Sequence, residues 1–351
     1  MTSGSAVRDR LAEWLRAQLA DTDGLRVEGF DRVEFGHSAE MMMLTIVTGT
    51  GAGEIRRDVV VRLRPRPPAL LEPYDLAKQF TVLSALEGSP VRVPRALWLE
   101  DSGDVLGRPF FVMERVAGTV YEMEAPEPAQ AGVRGMCESM ADQLAAIHTV
   151  DIAALGLAVL DDGAGHLDRE IDHWAGEMER VKRGPLPALE RLLTELKDSR
   201  PQSSSSVALV HGDAKPGNFA FVGDEVSAVF DWELSTVGDP LTDIGYLELL
   251  WRMPVGIPTH PAALTIDEII ARYETSSGIA VRHREWYRAL NAFKLAVINL
   301  VGAHLFDTGA TDDQRFLLNA YGIPLFTQMG LTDLDVSEQL DDGPVMPVRI
   351  A

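Results

Sequence analysis

Apolar residues recur along the chain with two different periods. Val7, Leu11, Trp14, Leu15 and Leu19 fall three or four apart, which places them on one face of an amphipathic helix over residues 5–19. From residue 25 the pattern changes to short runs. Residues 26–35, 41–48 and 55–63 predict three strands, the second apolar enough to be buried on both faces, with a small-residue turn at 35–40 and a Gly-rich loop at 49–53. Sequential strands on short turns predict an antiparallel meander. Four prolines between 65 and 73 interrupt it. Leu76, Phe80, Leu83 and Leu86 then predict a helix over 75–86, followed by strands at 91–100 and 109–113. Beyond Gly132 the helical period dominates, at 133–147, 167–183, 187–197, 243–251, 266–276, 283–305 and 312–328. Two short apolar runs, 207–210 and 226–230, interrupt it as strands. The pattern predicts an α+β, two-lobed chain. Residues 1–24 form a helix packed on a small antiparallel-sheet lobe at 25–116, and a mainly helical lobe occupies 117–351.

Composition narrows the class. A chain of 351 residues is long enough for two lobes of about 100–200 residues each. A net charge of −21 argues against nucleic-acid partners and against an anionic membrane surface, while permitting a cationic substrate. Cys137 is the single cysteine, so no internal disulfide is expected and a reducing, cytoplasmic setting follows. It lies in an apolar helical stretch and reads as an inert core thiol. The start has no basic segment leading into an apolar run, so no signal peptide is expected. The longest apolar stretch, at 295–305, falls short of the roughly 20 residues of a membrane span. A monomer or homodimer acting on a small molecule fits these bounds.

The chemistry concentrates in one stretch. Asp213 is followed five residues later by Asn218, and Asp231 lies thirteen beyond that. Each half follows an apolar run that reads as a strand. Strand, polar loop, strand, polar loop can bring three oxygen-bearing side chains to one side. Phosphoryl transfer needs a carboxylate to orient the acceptor hydroxyl and take its proton, cations near the migrating group, and a divalent metal. Magnesium takes oxygen ligands and keeps several waters, so one or two protein oxygens suffice. Asn218 and Asp231 fit that demand, Asp213 fits the base, and Lys215 is placed to neutralise charge on the phosphoryl.

The run His211-x-Asp213-x-Lys215-Pro216-x-Asn218 also resembles the catalytic loop of protein kinases. With Gly212, Asp231-Trp232-Glu233 and Gly238-Asp239-Pro240-x-x-Asp243, it is similar to the aminoglycoside phosphotransferase and choline kinase branch of that superfamily. The closer resemblance, carried also by Val60-Val61-Arg62, the run 106–118 and Phe293-Lys294-Leu295-Ala296-Val297, is to phosphotransferases related to the kinase-like part of acyl-CoA dehydrogenase fusion proteins. It covers about residues 25–330. The resemblance implies a bilobal, protein kinase-like fold using ATP and Mg2+. It implies that Gly36 and Ser38 lie over the phosphates and that Arg62 reaches them. Glu114 and Val116 would offer backbone groups to adenine. His211, Asp239 and Asp243 would be structural, with Asp243 anchoring the catalytic-loop backbone. The usual third-strand Lys is Arg62 here, and its expected Glu partner is Gln79, with Glu72 or Asp75 as substitutes.

The acceptor is left open by the residues. A hydroxyacyl-CoA, slightly preferred from the resemblance, would need cations such as Arg169, Arg180, Arg252 and Lys294. An aminoglycoside would use carboxylates such as Glu233, Asp239 and Glu248. Asp168, Arg169, Trp174 and Glu177 fall where the resembled family builds its acceptor site. His166, Asp168, Asp172 and His173 lack ligand spacing and read as solvated surface. A catalytically silent nucleotide-binding module is the rival of a different class.

Overall fold

The computed structural model of the protein describes residues 4–33, 40–160, 165–202, 206–337, 340 and 342. The chain folds as two compact units, one of Met1–Gly118 with Ser227–Glu233, the other of Thr119–Val226 with Leu234–Ala351. The sequence pattern places the boundary at 116/117 and leaves Ser227–Glu233 in the helical lobe; the segment belongs instead to the first unit. Within that unit Val229 N–H donates to Arg92 O at 2.7 Å and the Ser227 hydroxyl to Ala117 O at 2.7 Å. Hydrogen bonds to backbone carbonyls far along the chain leave no hydropathy signature.

The first unit is built on a five-stranded antiparallel sheet in the order β1-β2-β3-β5-β4, with strands β1 (Arg26–Val33), β2 (Glu40–Thr48), β3 (Ile55–Leu63), β4 (Ala96–Glu100) and β5 (Phe110–Glu114). The meander β1-β2-β3 follows the predicted runs. The fourth strand starts at Ala96, not Val91, because Pro90 and Pro94 cannot donate to a ladder. Alternate residues Met42, Leu44, Ile46, Val59, Val61, Phe110 and Val112 face one side. There they meet Val7, Leu11 and Leu15 of helix α1 (Gly4–Leu15). The Trp14 ring sits edge-on to Phe110 with centroids 4.9 Å apart. Leu11 is fully buried, so Leu11→Ala should cost about 2–5 kcal/mol. The other face carries helix α2 (Leu76–Leu86), whose Phe80 packs on Phe111. Asp75 caps α2 by accepting from Lys78 N–H.

The second unit is mainly helical: α3 (Val133–Thr149), α4 (His166–Val181), α5 (Pro187–Asp198), α6 (Leu241–Trp251), α7 (Ile266–Ser277), α8 (Arg284–Asp307) and α9 (Arg315–Asp333). Helix α8 packs against α4, α5, α6 and α9. It is long and apolar enough to cross a membrane, with mean hydropathy 1.5 over its best window, but 83% of that window is buried inside the fold. It is the core helix, longer than its apolar stretch suggested. Gly245 of α6 allows its close approach: a Cβ there would lie 2.6 Å from the Tyr287 backbone carbon. Short strands β6 (Thr119–Val120), β7 (Ala208–Val210), β8 (Phe219–Val222), β9 (Glu225–Val229) and β10 (Thr236–Gly238) complete the chain. Strand β7 pairs antiparallel with β10, Val210 opposite Thr236.

Candidate active site

Strand β7 delivers His211-Gly212-Asp213 into a loop whose backbone is held at almost every polar group. Gly212 has φ +83°, and a Cβ there would lie 2.4 Å from Leu234 O, so only glycine fits. The fully buried Asp243, in the first turn of α6, accepts His211 N–H on Oδ2 at 2.7 Å and Gly212 N–H on Oδ1 at 2.8 Å. His148 Nε2 lies 3.0 Å from the same Oδ2, and its Nδ1 lies 2.8 Å from the Tyr273 hydroxyl. A carboxylate can only accept, so Nε2 carries the proton and Nδ1 receives the hydroxyl hydrogen. Burial alone would raise the Asp243 carboxyl. His148 and, after it, His211 overcome it and hold the pKa below the ordinary value.

Asp213 is buried to 9% exposure. Asn218 spends both amide hydrogens on it, reaching Asp213 O at 2.7 Å and Oδ2 at 2.8 Å. Oδ1 of Asp213 is thereby the oxygen that can take a proton, and the Asn218 side-chain oxygen is the end that can coordinate a cation. Lys215 Nζ lies 3.8 Å from Asp213 Oδ2 and 3.0 Å from Glu122 Oε1. Glu122 carries no motif and sequence reasoning missed it.

In the first unit Arg62 is buried and has three partners. Its Nη2 lies 2.5 Å from Asp231 Oδ1, 3.2 Å from Glu233 Oε2 and 3.1 Å from the Tyr74 hydroxyl. Burial works against the charge, but Asp231, Tyr74 and Glu233 outweigh it and push the guanidinium pKa above its ordinary value. Tyr74 is pushed up to about 12, mainly by burial. The expected Arg62–Gln79 contact is thus not what forms. Gln79 is buried with its Nε2 left without a hydrogen-bond partner, Asp75 caps α2, and Glu72 accepts from Ala69 and Tyr74 amides. Arg62 turns to the phenol of Tyr74, which precedes α2, and not to α2 itself. Asp231 has φ +67°, uncommon for a residue other than glycine. Arg62 faces two carboxylates here, and carboxylate oxygens are the donors a hard divalent ion takes. The oxygen donors of Asp231 and Asn218 fit magnesium by type.

The other expected site residues separate into those placed structurally and those not gathered at all. Gly36 and Ser38 lie outside the described residues. Glu114 ends β5 and commits its amide to Arg95 O, so that group is not available to adenine, and Val116 lies in the loop after β5. Asp239 is buried; it caps α6 through Leu241 N–H and accepts from the Tyr287 hydroxyl. Glu248 is buried between Arg284 and Arg288, and Glu233 is held by Arg62. None of these three is an open carboxylate for a cationic acceptor. Nor do the cations cluster: Arg180 pairs Glu177, Arg252 pairs Asp333, and Arg169 reaches Val237 O. Lys294 is buried and bonds Gly212 O. Asp168 pairs Arg200, and Trp174 is 3% exposed, so neither is shaped as an acceptor contact. No group of three or more His, Cys, Asp or Glu side chains among the described residues could hold a metal. His166 is not solvated surface: it is buried, and its Nδ1 accepts from Asp239 N–H at 3.1 Å because the first turn of α4 packs against β10. Burial pushes Cys137 up to about 11, consistent with an inert thiol.

A family model described as "Phosphotransferase enzyme family" matches residues 45–290. The chain belongs to this family. Among curated proteins it is similar to acyl-CoA dehydrogenase family member 11 of Mus musculus, 32% identical over 287 residues covering 77% of this chain and 37% of that one. The Rattus norvegicus member 11 is 31% identical over 275 residues, covering 73% and 35%. The chain spans about a third of the length of these relatives. The fold is that of aminoglycoside phosphotransferases. A Ralstonia eutropha structure described as one superposes with TM-score 0.76 at 24% identity, covering 94% of this chain and 99% of that one. APH(4)-Ia, solved with AMP-PNP and hygromycin B, gives 0.59 at 14% identity over 94% and 99%. The phosphotransferase fold is the bilobal, kinase-like α+β architecture that the sequence pattern and the resemblance imply.

Proposed function

We propose that this phosphotransferase moves the γ-phosphoryl group of ATP to a hydroxyl of a small molecule, with magnesium held by Asn218 and Asp231. The observation that carries the reading is Asp213: a carboxylate whose one oxygen is fixed by Asn218 and whose backbone is fixed by Asp243 through the preceding residues. That is a base pre-set in direction, which is most of what phosphoryl transfer asks of a protein. Bound magnesium would neutralise charge on the nucleotide phosphates. Asp213 Oδ1 takes the acceptor's proton as its oxygen attacks the γ-phosphorus and ADP leaves. Lys215 faces the migrating charge, and Arg62 is the cation for the phosphates.

A hydroxyacyl-CoA is our preferred acceptor, on the similarity to the acyl-CoA dehydrogenase family members. An amino sugar is the second reading, favoured by the net charge of −21, but the carboxylates that would serve it are engaged elsewhere. The test is ADP release over hydroxyacyl-CoAs, aminoglycosides and choline-like alcohols, with Asp213→Ala as control. Turnover should fall by at least about 10²–10⁴-fold in the variant while Mg·ATP binding survives. Equal activity in both would remove Asp213 as base. ATP raising the melting temperature with no acceptor turned over would favour a silent nucleotide-binding module.

A further inference from the structure

Helix α8 crosses beneath the catalytic loop and sends one cation up to it. Lys294 is 4% exposed and donates from Nζ to Gly212 O at 2.6 Å. The ammonium sits 5.6 Å from the Trp174 ring centroid and 5.5 Å from that of Tyr246, with Glu170 Oε2 at 3.9 Å. Two aromatic faces and a carboxylate replace its hydration. A long, flexible side chain pays heavily in entropy to be held this way. It is not placed to meet a solvent-borne acceptor.

The carbonyl it holds belongs to the peptide group between Gly212 and Asp213. The other end of that group, Asp213 N–H, donates to His211 Nδ1 at 3.1 Å. The plane leading into the Asp213 Cα is therefore pinned at both ends. The plane leading out is pinned too, because Asp213 O accepts from Lys215 N–H and from Asn218 Nδ2. The Lys294 pin comes from a distant helix, outside the loop and its supporting Asp243. Gly212, free of Cβ and at positive φ, is the residue whose plane would otherwise rotate most easily.

We propose that Lys294 is a positioning residue for Asp213, acting through the Gly212–Asp213 peptide; the inference rests on the phosphotransferase reading above. Without the ammonium, the peptide turns and the carboxylate leaves its line with the acceptor hydroxyl. The role is one of direction, so it affects the chemical step and not nucleotide binding.

The variants are Lys294→Met, which keeps the length and removes the charge, and Lys294→Met with Glu170→Gln, which also removes the carboxylate left unpaired. Hydrogen exchange of the loop amides at 209–218 is measured alongside kcat and the KM for ATP. In at least the folded double variant, loop exchange should accelerate while exchange in α3 and α7 stays put. The kcat should fall about 100-fold with the ATP KM changed less than about threefold. Unchanged loop exchange overturns the proposal, and so does exchange that rises evenly over all peptides with kcat tracking the folded fraction. A raised acceptor KM at unchanged kcat would return Lys294 to substrate binding. If the wild type turns over no acceptor, the phosphotransferase reading falls, while the exchange pattern still decides whether Lys294 holds the loop.

Discussion

Asp243→Asn is nearly isosteric, yet the structure makes it a severe change. The carboxylate accepts three hydrogen bonds on two oxygens: His211 N–H and His148 Nε2 on Oδ2, Gly212 N–H on Oδ1. An asparagine keeps one oxygen and turns the other into a donor. With its oxygen on the His211 side, Gly212 N–H faces an NH2 group and one bond is lost. Turned the other way, two are lost. Each hydrogen bond to a charged acceptor contributes about 1.5–3 kcal/mol, and each buried donor left without an acceptor costs about 1–3 more. Even the better orientation therefore costs about 3–5 kcal/mol, in the range for breaking a buried charged pair. Urea unfolding followed through the tryptophans of the second unit, Trp174, Trp251 and Trp286, reads this as a lower midpoint at unchanged slope. A loss under about 1 kcal/mol would mean that Asp243 does not hold the loop, and the account of Asp213 would lose its base.

Three further outcomes follow from the same geometry. Gly212→Ala should destabilise by about 3 kcal/mol, combining strain at positive φ with the Leu234 O clash; a melting temperature equal to wild type refutes it. Arg62→Ala should weaken ATP binding by calorimetry and also leave Asp231 and Glu233 repelling each other; an unchanged affinity would mean another residue reaches the phosphates. Asp243 and Glu170 both titrate below their ordinary values in the fold, where the pull of His148 on one and of Lys294 on the other overcomes burial. Their stabilisation is fully present above their unfolded values, about pH 4–4.5, and drains away as pH falls through the lowered folded values. Acid titration of stability should show that loss, and Asp243→Asn should flatten it.

Local chemistry carried most of the fold into view before the structure did. Strand β3 and helix α5 begin where the period and Pro187 say they should, because amphipathic faces and caps act within one element. The loop at 211–218 was legible for the same reason: several of its hydrogen bonds, such as those of Asn218 to Asp213 and of Asp213 N–H to His211, join residues of the loop itself. What stayed hidden is contact across sequence. Arg62 finds Asp231 and Glu233 instead of a helix neighbour, and no periodicity reports that. His148 and Glu122 have no motif: the first is buried against Asp243 and the second, half-exposed, meets Lys215. Lys294 read as a cation for an acceptor, because charged side chains are seldom fully buried; its aromatic cage shows otherwise. Tyr74 stands before α2 in a proline-rich turn, where composition predicts irregularity and not a phenol gripping a buried guanidinium.

Ser227–Glu233 returns to the first unit after the chain has already laid down the catalytic loop. The protein therefore cannot be divided by one cut. A fragment ending at Gly118 would contain the whole sheet and both its helices, but Arg62 would keep Tyr74 and lose both counter-ions, stranding a charge in an apolar interior. Such a half-chain should be prone to misfold until a peptide carrying Asp231 and Glu233 is supplied in trans. During synthesis the first unit likewise stays electrically incomplete until residue 233 has emerged, so its last ion pairs close only after the loop that bears Asp213 has been made.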